Sequence, residues 1–172
     1  KAQKPVVVWL HGGGYFAGSS IEQAAYDGFN MCMLGDVVVV SINHRLNILG
    51  YLDLSPFGEK YANSGNAGHA DMVAALRWIR ENIALFGGDP DNVTIFGQSG
   101  GGMKVADLMQ IAEADGLFHK GLIMSGVGSE GLQPSCTGDG REIVRALLRE
   151  LNIGEDEVEK LETVPYYELA KA

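Results

Sequence analysis

The sequence predicts an α/β fold with a mostly parallel sheet and helices on both of its faces. One observation is a set of four short apolar runs, rich in β-branched residues, at 5–10, 36–42, 92–97 and 120–124. Apolar runs of this length without polar alternation are typical of strands buried on both faces, as in parallel sheets. The other observation is that helical patterns separate these runs, and strands that alternate with helices favour a parallel sheet. About four strands are therefore expected.

The clearest helix is expected between the second and third strands, over about 67–86. Apolar residues recur there at intervals that lay one stripe along a helix: Met72, Leu76, Ile79, Ile83 and Phe86. Two glycines then end the helix, and a turn is expected over 89–91. Weaker patterns predict further helices at 21–34, 103–114, 141–151 and 155–162, with a loop over 125–140.

Composition and charge narrow the classes of function. The chain has 172 residues, the length of one domain, and a formal net charge of −9. An acidic chain argues against a nucleic acid or an anionic membrane as partner, since both are bound by clustered Lys and Arg. No apolar run approaches the roughly 18 residues of a membrane span. The two cysteines, Cys32 and Cys136, are too few for a disulfide framework or a zinc site.

A Gly-x-Ser-x-Gly motif at residues 97–101 directly follows the third predicted strand and precedes a predicted helix. This is the setting of a nucleophile elbow, a tight strand-to-helix turn that exposes a reactive serine. Glycines suit this turn because flanking side chains would clash, and the helix behind it directs its positive end at the site. The motif predicts that Ser99 is a nucleophile.

A second glycine cluster, Gly12–Gly14, follows His11 at the end of the first strand. Backbone N–H groups in such a run can approach a substrate oxygen closely, as an oxyanion hole requires. The usual second donor is the N–H after the nucleophile, here that of Gly100. A flexible turn and a phosphate-binding loop are the alternatives for the two clusters, although the second lacks the Lys-Ser/Thr ending of a P-loop. Both clusters together, in this chain order, favour an esterase.

These motifs and several longer segments resemble the type-B carboxylesterases, the cholinesterase-like branch of the α/β-hydrolase fold. The similar segments cover most of residues 5–130 and lie at 9–19, 43–46, 65–71, 76–82, 86–97 and 117–126. Hormone-sensitive-lipase-like esterases also pair a His-Gly-Gly-Gly run with an elbow. The run Gly-Gly-Asp-Pro-Asp-Asn-Val-Thr-Ile-Phe at 87–96 and Asn-His-Arg at 43–45 favour the type-B family over them.

The resemblance implies an α/β-hydrolase core and four kinds of role. The nucleophile that accepts the acyl group is Ser99. The remaining roles are N–H donors of the oxyanion hole, a salt bridge beneath the site and a supporting serine at the next strand end. The residues at these positions are Gly13, Gly14 and Gly100, then Arg45 with Asp71, then Ser125.

Two positions depart from the pattern of the resembled family. Gln98 replaces the Glu that usually precedes the nucleophile, which removes a negative charge and weakens the case for cationic, choline-like substrates. Lys104 replaces a small residue one helical turn beyond the elbow. We expect its side chain to be solvated or to extend along the surface to water.

A serine hydrolase also needs a histidine base and an acid that orients it, in the chain order serine, acid, histidine. The histidines are His11, His44, His69 and His119, and none occupies the position of the family's base. Only His119 follows Ser99, which makes it the one candidate for a substitute base. We expect the acid and the base to lie beyond residue 172. The chain would then be a single partial domain, inactive by itself, that needs the remainder in the same or another chain.

The expected function is hydrolysis of a small-molecule carboxylic ester through a serine acyl-enzyme, without a metal or a cofactor. An alternative of a different class is a catalytically silent cholinesterase-like domain that binds a partner. Such domains usually lose the nucleophile, which is present here. A hormone-sensitive-lipase-like esterase is the other alternative. The sequence does not define the acyl and alcohol specificity.

Overall fold

A computed structural model describes residues 3–126 and 140–172 and contains a four-stranded parallel sheet. The strands are β1 (Lys4–Leu10), β2 (Val38–Ser41), β3 (Gly88–Gln98) and β4 (Lys120–Met124). Their spatial order is β2-β1-β3-β4. The predicted α/β class, with about four strands in a parallel sheet, is confirmed.

Helices connect and follow these strands. In the described part of the chain the α-helices are α1 (Phe29–Gly35), α2 (Asn47–Tyr51), α3 (Ala67–Asn82), α4 (Gly100–Leu108), α5 (Arg141–Glu150) and α6 (Tyr166–Lys171). Short 3₁₀ helices lie at Ala24–Asp27, Ser55–Phe57, Glu59–Tyr61, Ser64–Asn66, Ile83–Phe86, Ala112–Ala114 and Glu155–Thr163. No helix was predicted at α6. Residues 127–139 of the predicted loop, and Cys136 with them, lie outside the described residues.

Two predicted helices have different bounds in the structure. The helix predicted over 21–34 is divided at Gly28, whose φ is +75°. Gly28 also lies so close to β2 that a Cβ there would be 2.4 Å from Cγ1 of Val39. The helix predicted over 103–114 starts at the elbow itself, as α4, and ends earlier.

The turn predicted over 89–91 falls inside β3, which begins at Gly88, at a point where the pairing with β1 is irregular. Gly88 pairs with Lys4 across the sheet, beyond an irregularity in the register. Pairing resumes where Val93 lies opposite Val6, so the four residues 89–92 face a single residue of β1 and the chain turns there as predicted. The N–H of Asp91 donates to Oδ1 of Asp89 at 2.9 Å within this turn.

Different helices cover the two faces of the sheet, as the fold class predicts. One face packs against α3 and α4, where Met72, Leu76, Ile79 and Ile83 of the predicted stripe are buried. Phe86, the last residue of the predicted stripe, is instead 63% exposed at the end of the 3₁₀ helix Ile83–Phe86, and its ring lies 6.0 Å from that of Trp78.

The opposite face of the sheet carries Trp9 of β1. Its ring lies 4.9 Å from that of Tyr26, in the 3₁₀ helix before α1, and 5.0 Å from that of Phe96 on β3. A separate apolar cluster joins α5 to the 3₁₀ helix Glu155–Thr163. Among the described residues, no helix has both the length and the apolar character needed to cross a membrane.

The register of the sheet brings three loops to one edge. Leu10 pairs with Gly97, and Gln98 pairs with Met124, so β1, β3 and β4 end side by side. In open parallel sheets this carboxyl edge is where ligands bind. The two glycine clusters and Ser125 follow these strand ends directly.

Candidate active site

Ser99 lies at the junction between β3 and α4. Its backbone angles, φ +55° and ψ −123°, are a conformation that residues other than glycine rarely adopt. Its N–H donates to the carbonyl of Met124 at 2.9 Å, and its own carbonyl accepts from the N–H of Met103 at 3.1 Å. The strained turn is therefore held by β4 on one side and by the first helical bond of α4 on the other, and Ser99 is exposed.

The two outer glycines of the motif are required by close backbone contacts. A Cβ on Gly97 would lie 2.4 Å from the carbonyl carbon of Gly101. A Cβ on Gly101 would lie 2.0 Å from the carbonyl oxygen of Leu10 at the end of β1. Contacts this short leave no room for any side chain, so the helix can begin directly behind the strand only because both positions are glycine.

The loop after β1 passes directly in front of the elbow. Gly13 and Gly14 have positive φ angles of 87° and 62°, in the region that favours glycine. The carbonyl of Gly13 accepts from the N–H of Ala17 at 3.2 Å, which closes the loop. A Cβ on Gly100 would lie 2.3 Å from the nitrogen of Gly14, so the glycine loop and the residue after Ser99 are in close contact.

The N–H groups of Gly13, Gly14 and Gly100 donate to no acceptor in the part of the chain that the structure describes. They come from two loops that meet beside an exposed serine hydroxyl, and Gly100 also begins α4, whose N-terminus carries positive partial charge. Such an arrangement can bind a negatively charged oxygen next to the serine.

His11, the residue before the glycine loop, is 1% exposed. Its Nδ1 lies 2.9 Å from the carbonyl oxygen of Gly12, and its ring stacks on that of His44 at a centroid distance of 5.0 Å. Burial lowers the pKa of His11, and it lowers the pKa of His44 to about 4. Both rings are therefore neutral at neutral pH.

Lys104 is completely buried, so the expectation of a solvated side chain is wrong. α4 presents it to the sheet side together with Val105 and Leu108. Its Nζ donates to the carbonyl of His11 at 2.9 Å, and burial lowers its pKa to about 8.

A polar network that sequence analysis missed supports the next residue of the loop, Tyr15. The hydroxyl of Tyr15 donates to Oδ2 of Asp107, and Nε2 of His69 lies 3.0 Å from the same oxygen. Burial alone would raise the pKa of Asp107, but the hydrogen bonds from His69 and Tyr15 together hold it below its ordinary value. No local sequence pattern indicates this network, since its members lie on three separate segments.

Arg45 and Asp71 form an ion pair with two contacts of 2.8 Å, from Nε and Nη2 to the two carboxylate oxygens. The N–H of Arg45 also donates to Oδ2 of Asp71 at 2.9 Å. These bonds hold the pKa of Asp71 below its ordinary value. Ser125, at the end of β4, is exposed and has a φ of +51°.

The histidines make their hydrogen bonds away from the serine. His44 Nδ1 lies 3.0 Å from the carbonyl oxygen of Arg45, and Nδ1 of His119 accepts from the N–H of Val93 at 3.1 Å. Within the described residues, no histidine is hydrogen-bonded to Ser99. A cleft of about 580 Å³ beside α3 and α4 is lined by His69, Asp107 and neighbouring residues, and Ser99 is not among them. The described residues also contain no cluster of three or more potential metal ligands.

Comparison with known proteins agrees with this geometry. The carboxylesterase family matches residues 1–172. The chain is 44% identical to the para-nitrobenzyl esterase of Bacillus subtilis (strain 168) over 168 residues, which are 98% of this chain and 33% of that protein.

Solved structures of esterases share the fold. An esterase from anaerobic Clostridium hathewayi, described as able to hydrolyse aliphatic aromatic polyesters, matches 99% of this chain at 66% identity and a TM-score of 0.94, over 34% of its own chain. Carboxylesterase EST55 of Geobacillus stearothermophilus at pH 6.2 matches 98% at 43% identity and a TM-score of 0.86, over 35% of its own chain. The chain thus spans about a third of the length of these proteins. The core is that of the α/β-hydrolase esterases, and the chain belongs to the carboxylesterase family.

Proposed function

We propose that this chain carries the nucleophile and the oxyanion hole of a carboxylic ester hydrolase. The observation that supports this most directly is the position of Ser99. It lies in a strained, exposed turn, opposite a glycine loop whose N–H groups have no acceptor among the described residues. A strained conformation at an exposed polar residue costs free energy, and such strain is concentrated at functional sites.

The proposed reaction has two steps. The Oγ of Ser99 attacks the ester carbonyl carbon while a histidine takes the hydroxyl proton. The carbonyl oxygen becomes an oxyanion, which the N–H groups of Gly13, Gly14 and Gly100 stabilise. Collapse of this intermediate breaks the bond to the alcohol, which leaves with the proton from the histidine. Water then attacks the acyl-enzyme in the same way, releasing the carboxylic acid and restoring the hydroxyl of Ser99.

The histidine base and its acid are supplied from outside the 172 residues, in the same or another chain. The hydrogen bonds of the four histidines support this, because each ring is bonded to a group other than Ser99. By this proposal the 172 residues are one part of an α/β-hydrolase domain. The Arg45–Asp71 ion pair and Ser125 support the site from neighbouring loops.

The substrate is a small carboxylic ester. The Bacillus subtilis relative is named a para-nitrobenzyl esterase, and the Clostridium hathewayi relative is described as able to hydrolyse aliphatic aromatic polyesters. Both names point to esters, and membership of the carboxylesterase family favours carboxylic esters. Gln98 beside the nucleophile is uncharged, which favours neutral substrates over cationic ones.

Ester hydrolysis by the natural gene product that carries this sequence tests the proposal. We expect Ser99→Ala to lower the kcat for a chromogenic aryl ester by about 10⁴-fold or more, since loss of the nucleophile disables the whole triad. The matched control is Ser55→Ala, a serine at the start of a 3₁₀ helix, which should keep full activity. Activity that persists in Ser99→Ala would contradict the proposal. Ester-inactive wild-type protein would favour a silent binding domain.

A further inference from the structure

Lys104 occupies a position that is costly for a lysine. Lysine is almost never fully buried unless it is paired, since desolvation of its charge costs free energy. Lys104 is 0% exposed, and no carboxylate lies within ion-pair distance of its Nζ in the part of the chain described. Its polar contact is the bond to the carbonyl of His11, and the ring of Tyr15 lies 5.9 Å from Nζ. The ammonium group therefore makes these contacts with the end of β1 and the loop that follows it.

The bond from Lys104 to the carbonyl of His11 lies at the start of the glycine loop, where it can fix the orientation of the loop. The carbonyl of His11 belongs to the peptide unit that joins His11 to Gly12. The carbonyl of Gly12 in turn accepts from Nδ1 of the His11 ring at 2.9 Å. A peptide unit is planar, so a carbonyl held in place also fixes the direction of the next N–H. Lys104 and the His11 ring thereby hold two successive peptide planes, and the second carries the N–H of Gly13.

The loop needs such anchors because glycine supplies none. Gly12, Gly13 and Gly14 have no side chains to pack, and glycine readily adopts several backbone conformations. On its far side the loop is closed by the bond from Ala17 to the carbonyl of Gly13. On its near side the anchor is the ammonium group of Lys104.

Lys104 also belongs to the same helix as the nucleophile. α4 starts directly after Ser99, and its first helical bond runs from Met103 to the carbonyl of Ser99. One rigid helix thus carries the serine at its start and the donor to His11 one turn later. We propose that Lys104 is a positioning residue that holds the oxyanion loop at a fixed distance and orientation from Ser99. This inference rests on the proposed function, because it adds a residue to the same site.

The charges around the contact are consistent with this role. An ammonium group is a donor only, as the carbonyl of His11 requires. Burial, with the positive charge of Lys104 adding to it, lowers the pKa of His11. A neutral His11 ring can carry its proton on Nδ1 and donate it to Gly12, which leaves the buried Nε2, unpartnered among the described residues, as an uncharged acceptor.

The test is steady-state kinetics of Lys104→Met in the natural gene product that carries this sequence. Methionine keeps the length and apolar stem but loses the donor. We expect kcat per active site, counted by fluorophosphonate titration, to fall about 10- to 100-fold with KM within about twofold, as expected when oxyanion donors are misplaced. The matched control is Lys120→Met, which removes the same charge from an exposed lysine on β4 and should leave kcat unchanged.

If Lys104 only stabilises the fold, Lys104→Met will lower the number of titrated sites and leave kcat per site unchanged. That result would overturn the inference. An equal fall in Lys120→Met would overturn it as well. If wild-type hydrolysis is absent or survives Ser99→Ala, the proposed function fails and this inference with it. If hydrolysis depends on Ser99 but not on Lys104, only this inference fails.

A crystal structure of the phosphonylated wild-type protein tests the inference even if Lys104→Met does not fold. We expect Nζ of Lys104 within hydrogen-bond distance of the carbonyl of His11, at about 2.7–3.2 Å. The phosphonyl oxygen should accept from the N–H groups of Gly13 and Gly14. A Lys104 side chain directed elsewhere while the phosphonyl oxygen occupies those N–H groups would overturn the inference.

Discussion

The buried ammonium group of Lys104 should make the stability of the protein rise with pH above neutrality. Burial lowers its pKa from the ordinary 10.5 to about 8 in the folded protein. Between these values the unfolded chain keeps the proton that the folded protein has lost, so the free energy of unfolding increases with pH. At about 1.4 kcal/mol for each pKa unit, the gain from pH 7 to 9.5 is about 2 kcal/mol.

The assay is denaturant unfolding of the wild-type protein and of Lys104→Met at several pH values, compared as a difference. The comparison removes the contribution of Tyr15 and Tyr51, whose raised pKa values make stability fall at higher pH. His11 and His44 are already neutral in this range, and Glu22, whose charge favours the protonated lysine, is present in both proteins. A wild-type advantage that stays flat from pH 7 to 9.5 would refute the buried-ammonium argument.

Three further substitutions test the backbone and charge contacts of the site. Gly101→Ala should lower the free energy of unfolding by about 3 kcal/mol, because the new Cβ would lie 2.0 Å from the carbonyl oxygen of Leu10. This clash could be relieved only by a shift of the backbone. Asp71→Asn should cost about 1 kcal/mol at pH 7, since Arg45 is half exposed. Because the pKa of Asp71 is lowered in the folded protein, this cost should shrink as pH falls below about 4. Ser99→Gly should abolish turnover yet raise the free energy of unfolding by about 1 kcal/mol, since glycine tolerates the φ of +55°. Denaturant unfolding measures all three effects.

Each substitution has a control that the chain itself offers. For Gly101→Ala it is Gly35→Ala at the end of α1, where a Cβ would meet nothing closer than 3.7 Å. For Asp71→Asn it is Asp91→Asn, which breaks an exposed 3.3 Å pair with Arg80 and should cost almost nothing. For Ser99→Gly it is Ser99→Ala, which keeps the strain. Equal effects in a substitution and its control would contradict the reasoning for that site.

The parts of the fold that sequence analysis predicted are those with a local signal. Uninterrupted apolar runs marked all four strands, and the glycines at 97 and 101 marked the elbow because only glycine fits the backbone contacts there. The division of the helix predicted over 21–34 has no such signal. It depends on the approach of Gly28 to Val39, which the packing against β2 creates.

Lys104 and the network around Tyr15 could not be predicted for the same reason. Lys104 contacts His11, and Tyr15 contacts Asp107, so each partner lies on an element distant in sequence. A single lysine on an amphipathic helix is predicted to lie at the surface unless the backbone carbonyl that accepts its hydrogen bond is known. The start of β3 at Gly88, before the irregularity at 89–92, is similar, because it depends on pairing with Lys4 at the start of β1.

The most direct test of the account is the intact mass of the natural gene product that carries this sequence after reaction with a fluorophosphonate. We expect one adduct for each active site, located at Ser99, lost in Ser99→Ala and kept in Ser55→Ala. We also expect the 172 residues alone to remain unlabelled, since the proposed base is supplied from outside them. An adduct on another residue, or a gene product that remains unlabelled, would contradict the assignment of Ser99 as the nucleophile.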